Sequence, residues 1–277
     1  MKTKTTLRCS YFLLLSIFFT KSIFAGGEIF TAGARQAGMG RTSVSITDFW
    51  SVQNNQAGIA LLDRIGVGLY YQNQFQLSQL SQKAIAVVVP SKIGVLGLTF
   101  THFGYELYND IKIGLAYARS FGPYFRIGLQ LDYLRTSLGE NYGSKSNVTF
   151  ELGVQSNLTN NLTIGAWVFN PIQVKLADYA NEYIPVIFKL GMGWNIDNRL
   201  LVNIEAEKNT AFQAILLRAG VEYALKEKFF FRGGFSTAQE IFSMGFGMQF
   251  KILRIDLSAI MHNTLGFSSQ GSLILQF

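Results

Sequence analysis

The stretch FSMGFGMQFKILRIDLSAIMH, Phe242–His262, decides the fold. In its first half Phe242, Met244, Phe246, Met248 and Phe250 alternate with Ser243, Gly245, Gly247 and Gln249. In its second half Leu253, Ile255, Leu257, Ala259 and Met261 alternate with Arg254, Asp256 and Ser258. Side chains on a strand point to opposite faces with period two, so each half is a strand with one large apolar face and one small or charged face. A soluble sandwich strand alternates as well. Two features oppose that reading. The segments run about ten residues, the length of a tilted membrane strand, whereas soluble strands have roughly 5–6. Charges of both signs also fall on the face that would form a dry core, where they are costly. They suit a polar barrel interior behind a lipid-facing wall.

The same alternation runs through Phe125–Tyr133 and Ile215–Tyr223, and recurs from Ile65 onward. It predicts an all-β chain, a transmembrane antiparallel β-barrel of about fourteen strands, an even number as in bacterial barrels. The strands fall near 65–75, 81–90, 93–102, 110–120, 124–138, 146–156, 161–170, 185–196, 199–208, 212–224, 228–238, 240–250, 252–262 and 266–277. Tight turns at Pro90–Lys92, Gly122-Pro123, Thr159–Asn161, Asp197-Asn198 and Lys226-Glu227 follow even-numbered strands. Longer connections at Phe103–Asn109, Gly139–Lys145 and Pro171–Ile184 follow odd-numbered ones. Short periplasmic turns alternating with longer outer loops place both termini in the periplasm. Phe277 ends the alternating stretch Leu273–Phe277 and resembles the terminal aromatic signal read by the barrel assembly machinery, although Gly271 does not meet the usual glycine offset.

The first 25 residues read as a secretory signal. Lys2, Lys4 and Arg8 precede an apolar run, Tyr11–Phe19, too short to span a bilayer, and Ile23-Phe24-Ala25 precedes Gly26 as a cleavage site. Cleavage removes the single cysteine, Cys9, so the mature chain is expected to hold no disulfide or thiolate metal site. It also removes four basic residues and no acidic ones, so the formal charge of +7 becomes +3 and gives no reason to expect nucleic acid as a partner. The domain reading is 1–25 signal, 26–62 plug and 63–277 barrel. A closed wall leaves no sheet edge for residues 26–62 to join. Ile46, Phe49, Trp50, Val52, Ile59, Leu61 and Leu62 are too apolar for a free tail. The segment is therefore expected inside the lumen. Gly33, Ala34, Ala37, Gly38 and Gly40 would let its backbone approach the wall. Ser51–Gly58, rich in Asn, Gln and Gly, reads as irregular rather than helical.

The stretch GARQAGMGRTSVSITDFWSVQNNQAGIALL, Gly33–Leu62, resembles the N-terminal hatch of FadL-like fatty-acid transport barrels, and more closely that of the PorV/PorQ family of type IX secretion accessories. Gly33, Arg35, Ala37, Gly38 and Gly40 fit the glycine-arginine-alanine-glycine stretch. Asp48 fits the acidic position, and Asn55, Ala57 and Gly58 fit the Asn-Pro-Ala-Gly turn, with Gln56 in place of its proline. The resemblance implies an outer-membrane barrel that moves a hydrophobic small molecule or assists secretion-system proteins. The outer loops are shorter than those of fatty-acid transporters.

Inward-facing charges are expected at Lys112, Arg126, Asp132, Glu151, Lys189, Glu205, Glu207, Arg218, Glu222, Arg232, Arg254 and Asp256, pairing across the lumen and with Arg35, Arg41 and Asp48. Arg218, Glu222 and Arg254 are expected to hydrogen-bond the plug backbone, and Asn54 and Asn55 to cap its turns. Catalysis is not expected. His102 and His262 are the only histidines, and Ser258 lies four residues from His262 on one strand, beyond direct contact. No metal or cofactor is expected. Expected partners are outer-membrane lipids, the assembly machinery, and either a hydrophobic small molecule or secretion-system proteins. A scaffold that only binds partner proteins is the alternative.

Overall fold

The period-two pattern forms the wall. In the computed structural model, which describes residues 32–139, 143–177, 182–197, 199–237 and 241–277, the strands are β1 (Gly66–Asn73), β2 (Ser81–Ser91), β3 (Gly94–Tyr105), β4 (Tyr108–Phe121), β5 (Phe125–Leu138), β6 (Gly143–Asn157), β7 (Leu162–Phe169), β8 (Lys175–Ala177), β9 (Glu182–Tyr183), β10 (Ile187–Ile196), β11 (Leu200–Asn209), β12 (Ile215–Leu225), β13 (Phe229–Ser236), β14 (Ile241–Gln249), β15 (Leu253–His262) and β16 (Gly266–Gln276). Among the described residues fourteen of them form one closed antiparallel barrel, and β8–β9 form a separate ribbon in the β7–β10 connection. Sequential neighbours pair all the way round. The seam closes between β1 and β16, from Gly66↔Gln276 to Asn73↔Ser269. The signal reading, the first residues of the plug reading (26–31) and parts of three outer connections lie outside the described residues.

Burial is inverted relative to a soluble protein. On β5 the outward Leu131 is 54% exposed, and the inward Asp132 beside it is 1% exposed. Its outward apolar side chains run from Phe125 to Tyr133 before giving way to Arg135. At ~3.4 Å per residue and a ~40° tilt this band is roughly 20–25 Å tall, the height of a membrane's apolar slab. The phase on β14 is equally clear. Phe246 packs outside against Phe229 and Phe231, with ring centroids 6.3 and 5.4 Å away, while Gly247 faces inward beside Arg232 and Asp256.

Two expectations need correction. Phe103–Asn109 is not an extended loop. Gly104 pairs with Asn109 and Tyr105 with Tyr108, so only Glu106-Leu107 turn the chain. Aromatic residues favour strands and pair well across them, which outweighs the loop-forming tendency of Gly104 and Asn109. Ser51–Gly58 is not irregular either. It holds a helix over Ser51–Asn54 and the first half of a 3₁₀ segment, Gln56–Leu61. Asn55, which reads as a breaker, caps the second: its side-chain oxygen accepts from the Ala57 N–H at 3.2 Å.

Candidate functional site: the lumen and residues 32–62

Residues 32–62 lie against the inward faces of the wall strands. Helix α1 (Ala34–Gly38) packs on β14 and β15, α2 (Ser51–Asn54) on β3, and the 3₁₀ segment on β4, β5 and β6. Glycines on both sides make the approach possible. A methyl group on Gly38 would lie 2.9 Å from the Gly245 Cα, and one on Gly40 2.7 Å from the Ala219 and Phe235 carbonyl oxygens. Wall glycines 128, 153, 165 and 234 would, with a Cβ, overlap Ala57, Asn55, Val44 and Gly40 respectively. These wall glycines pass unnoticed in the sequence. Their signal is a glycine on the inward phase of an alternating strand.

Charged contacts fall into three groups. In the first, Arg35 donates to both Glu222 oxygens, at 2.9 and 2.6 Å, and to Asp48 at 3.1 Å. Gln36 also donates to Asp48. On the wall, Arg232 reaches Glu222 at 2.5 Å and Asp256 at 2.8 Å, and Arg254 reaches Asp256 at 2.9 Å. Burial works against the charge of Arg35, yet Glu222 and Asp48 outweigh it and hold the guanidinium pKa above its ordinary value. In the second group, Glu205 accepts from the Ser43 and Val44 backbone N–H groups at 2.7 and 2.8 Å, and pairs with Arg218 at 3.2 Å. Arg218 also pairs with Glu207, and Lys189 stands within 3.8 Å of both carboxylates. In the third, Glu151 accepts from Gln56, Trp167 and Lys112, and Lys112 stands 3.7 Å from Asp132.

The remaining predicted positions are placed as follows. Arg126 sits apart from these groups, donating to Asn157 at 2.6 Å. Gly33 and Gly40 take φ of 104° and 68°, where a side chain is strained, and the Gly40 N–H donates to Ser243. Ala37 packs with Ile241 and Ile260. Gly58 donates to the Asn55 carbonyl and leaves no room for a Cβ against Ser51. Phe277 is exposed, and its N–H donates to the Ile65 carbonyl beside the seam. The expectation for the backbone contacts needs correcting. Glu205 accepts from the segment's backbone N–H groups, Glu222 accepts from the Arg35 side chain, and Arg218 and Arg254 bind carboxylates of the wall. Two adjacent N–H groups need an acceptor, which a guanidinium lacks, and the Glu222 oxygens are taken by guanidinium groups. Asn54 donates to the Ala32 and Trp50 carbonyls.

Apolar contacts inside the barrel fall in more than one place: Phe49, Trp50, Val52 and Ile59 pack on Tyr70, Val88, Val95 and Ile274, and a separate cluster lies at β7 and β10. Trp167 and Phe169 of β7 and Ile187 of β10 form a buried cluster with Val44, Ile184, Leu134 and Val174. The Lys112 and Lys189 ammonium groups stand 5.2 and 5.1 Å from the Phe169 and Trp167 ring centres. The histidines lie elsewhere. His262 Nδ1 accepts from the Thr264 and Leu265 N–H groups, and the Ser258 hydroxyl donates to Gln270.

The sequence matches no known family model and no curated protein. Among solved structures it is similar to the CymD monoaromatic hydrocarbon channel, with TM-score 0.72 and 12% identity over 91% of this chain and 99% of that one. It is similar to the Ralstonia pickettii toluene transporter TbuX (TM-score 0.67, 13% identity, 90% of this chain and 98% of that one). It is also similar to a Pseudomonas aeruginosa FadL homologue (TM-score 0.67, 13% identity, 91% and 98%). The chain has the fold of the FadL-like outer-membrane barrels. In this barrel the wall ladder around β3 is unbroken, from Gln82↔Phe103 to Ser91↔Gly94 on one side and Val95↔Ala118 to Tyr105↔Tyr108 on the other.

Proposed function

We propose that this barrel carries a hydrophobic small molecule across the outer membrane, with residues 26–62 acting as a hatch that limits the passage. The observation that carries this reading is the apolar cluster of Trp167, Phe169, Ile187 and Ile184, which meets Val44 of the N-terminal segment on the inward faces of β7 and β10, beside the charged groups of Lys112 and Lys189. An apolar solute gains by moving from water onto such a surface, at ~25 cal/mol per Å² of apolar area covered. The neighbours named as a monoaromatic hydrocarbon channel and a toluene transporter support the same class of solute. A host strain supplied with the protein should take up radiolabelled toluene faster than the same strain without it. Trp167→Ala combined with Phe169→Ala should reduce the gain several-fold. Uptake equal in all three strains would reject the reading.

A second reading, a type IX secretion accessory of the PorV/PorQ kind, is supported by the unbroken ladder on both sides of β3, which offers no lateral exit into the membrane there. A native pull-down from outer membranes tests it. Stable copurification of secretion-system proteins would favour this reading over transport.

A further inference from the structure

The outward face of β2–β5 changes character at its outer end. One row, Ile85, Phe100, Ile113 and Tyr133, runs across the four strands in register and is apolar. The next outward row is Lys83, His102, Ile111 and Arg135, again in register. Lys83 and Arg135 are exposed, and among the described residues neither has a carboxylate within ion-pair distance. The Arg135 guanidinium donates to the Ser144 hydroxyl at 3.3 Å. Among the described residues His102 Nδ1 is buried without a hydrogen-bond partner. On the adjoining strands the row continues with Tyr71 of β1 and Ser146 of β6, and on β10 and β12–β16 the outer-end outward positions include Phe188, Ile215, Phe235, Phe242, Met261 and Phe267. On β11 that position is Lys208, which is held by the Phe212 and Gln213 carbonyls.

We propose that Lys83, His102 and Arg135 form a docking site for the phosphorylated headgroup of an outer-leaflet lipid, whose acyl chains lie on Ile85, Phe100 and Ile113. Neighbouring strands are ~4.8 Å apart, so Lys83 and Arg135 flank a gap of roughly 15 Å that their long side chains close over His102 and Ile111. A phosphate there receives charge-assisted hydrogen bonds from both sides. The row lies where the apolar band ends, the depth at which a headgroup begins. The apolar row beneath it selects a lipid over a free anion or an acidic protein.

The test is native mass spectrometry of the whole barrel released from nanodiscs, with bis-phosphorylated lipid A and its dephosphorylated form as probes. The wild type should retain the phosphorylated lipid at least tenfold better. Lys83→Gln with Arg135→Gln should abolish that preference. Lys228→Gln with Lys251→Gln, at the periplasmic end, should preserve it. Heat-modifiable gel mobility confirms that each variant is folded, and the single variants, each giving a partial loss, serve if the double variant is not. Equal retention of the two lipids by the wild type, or an unchanged preference in the folded variants, would overturn the proposal. So would a lipid-free dimer that is lost in the variants, since a second copy of the chain would then occupy the face.

Discussion

Arg35 and Glu222 are joined by two hydrogen bonds, at 2.9 and 2.6 Å, between residues 187 positions apart in the chain. The pair links the N-terminal segment to β12, and Asp48 and Arg232 complete its charge balance. Taking one partner from a buried pair costs ~3–5 kcal/mol, because the other is left charged and dry. Arg35→Gln should therefore loosen the segment while the wall stays closed. Limited trypsin digestion should then cut at Arg41 in the variant and not in the wild type. Adding Glu222→Gln should restore part of the protection, since the stranded carboxylate is gone. Identical digestion of all three proteins would show that the pair does not hold the segment.

The neighbouring glycines of β13 make a sharper contrast. Gly233 faces open space, whereas a side chain on Gly234 would strike the Gly40 backbone. Gly233→Val should leave trypsin protection unchanged. Gly234→Val should expose Arg41 to cleavage without preventing insertion, as judged by heat-modifiable mobility. Equal protection in both variants would contradict the packing of residues 39 and 40 against this strand.

On β5 the outward side chains cross the membrane slab, so the cost of a charge should depend on depth. Leu129→Arg, at the middle of the apolar run Phe125–Tyr133, should cost ~2–4 kcal/mol, and Phe125→Arg at its periplasmic end ~0–1 kcal/mol. Denaturant titration of the barrel in lipid measures both. Equal costs would place the membrane elsewhere on the wall.

The wall was legible in the sequence because most of its strands carry large apolar side chains on the outward face and small, polar or charged ones on the inward face, which writes a period of two into segments such as Phe242–Gln249. The phase of that alternation placed Glu205, Glu222 and Asp256 inward, where the structure buries them. Strand ends were harder to place. At Tyr105–Tyr108 the hairpin continues beyond the apolar band, where the pattern carries no lipid signal. Residues 32–62 were least legible. Their contacts are long-range, such as Ser43 with Glu205 and Asn55 with the Val154 carbonyl, and no local periodicity reports them. The cluster of Trp167, Phe169 and Ile187 was missed for a related reason. On β7 both faces are apolar, so alternation fades where the candidate passage lies.

The central claim is that the N-terminal segment occupies the lumen and limits its permeability. Single-channel conductance in planar bilayers, for the intact mature protein and for a variant lacking Gly33–Gly58, tests it most directly. The intact protein should show little or no ion conductance. The deletion should insert as a closed barrel and give a stable open channel, because the wall closes on itself through β1 and β16 without using residues 33–58. An intact protein that already conducts like an open pore, with the deletion leaving that conductance unchanged, would contradict the account.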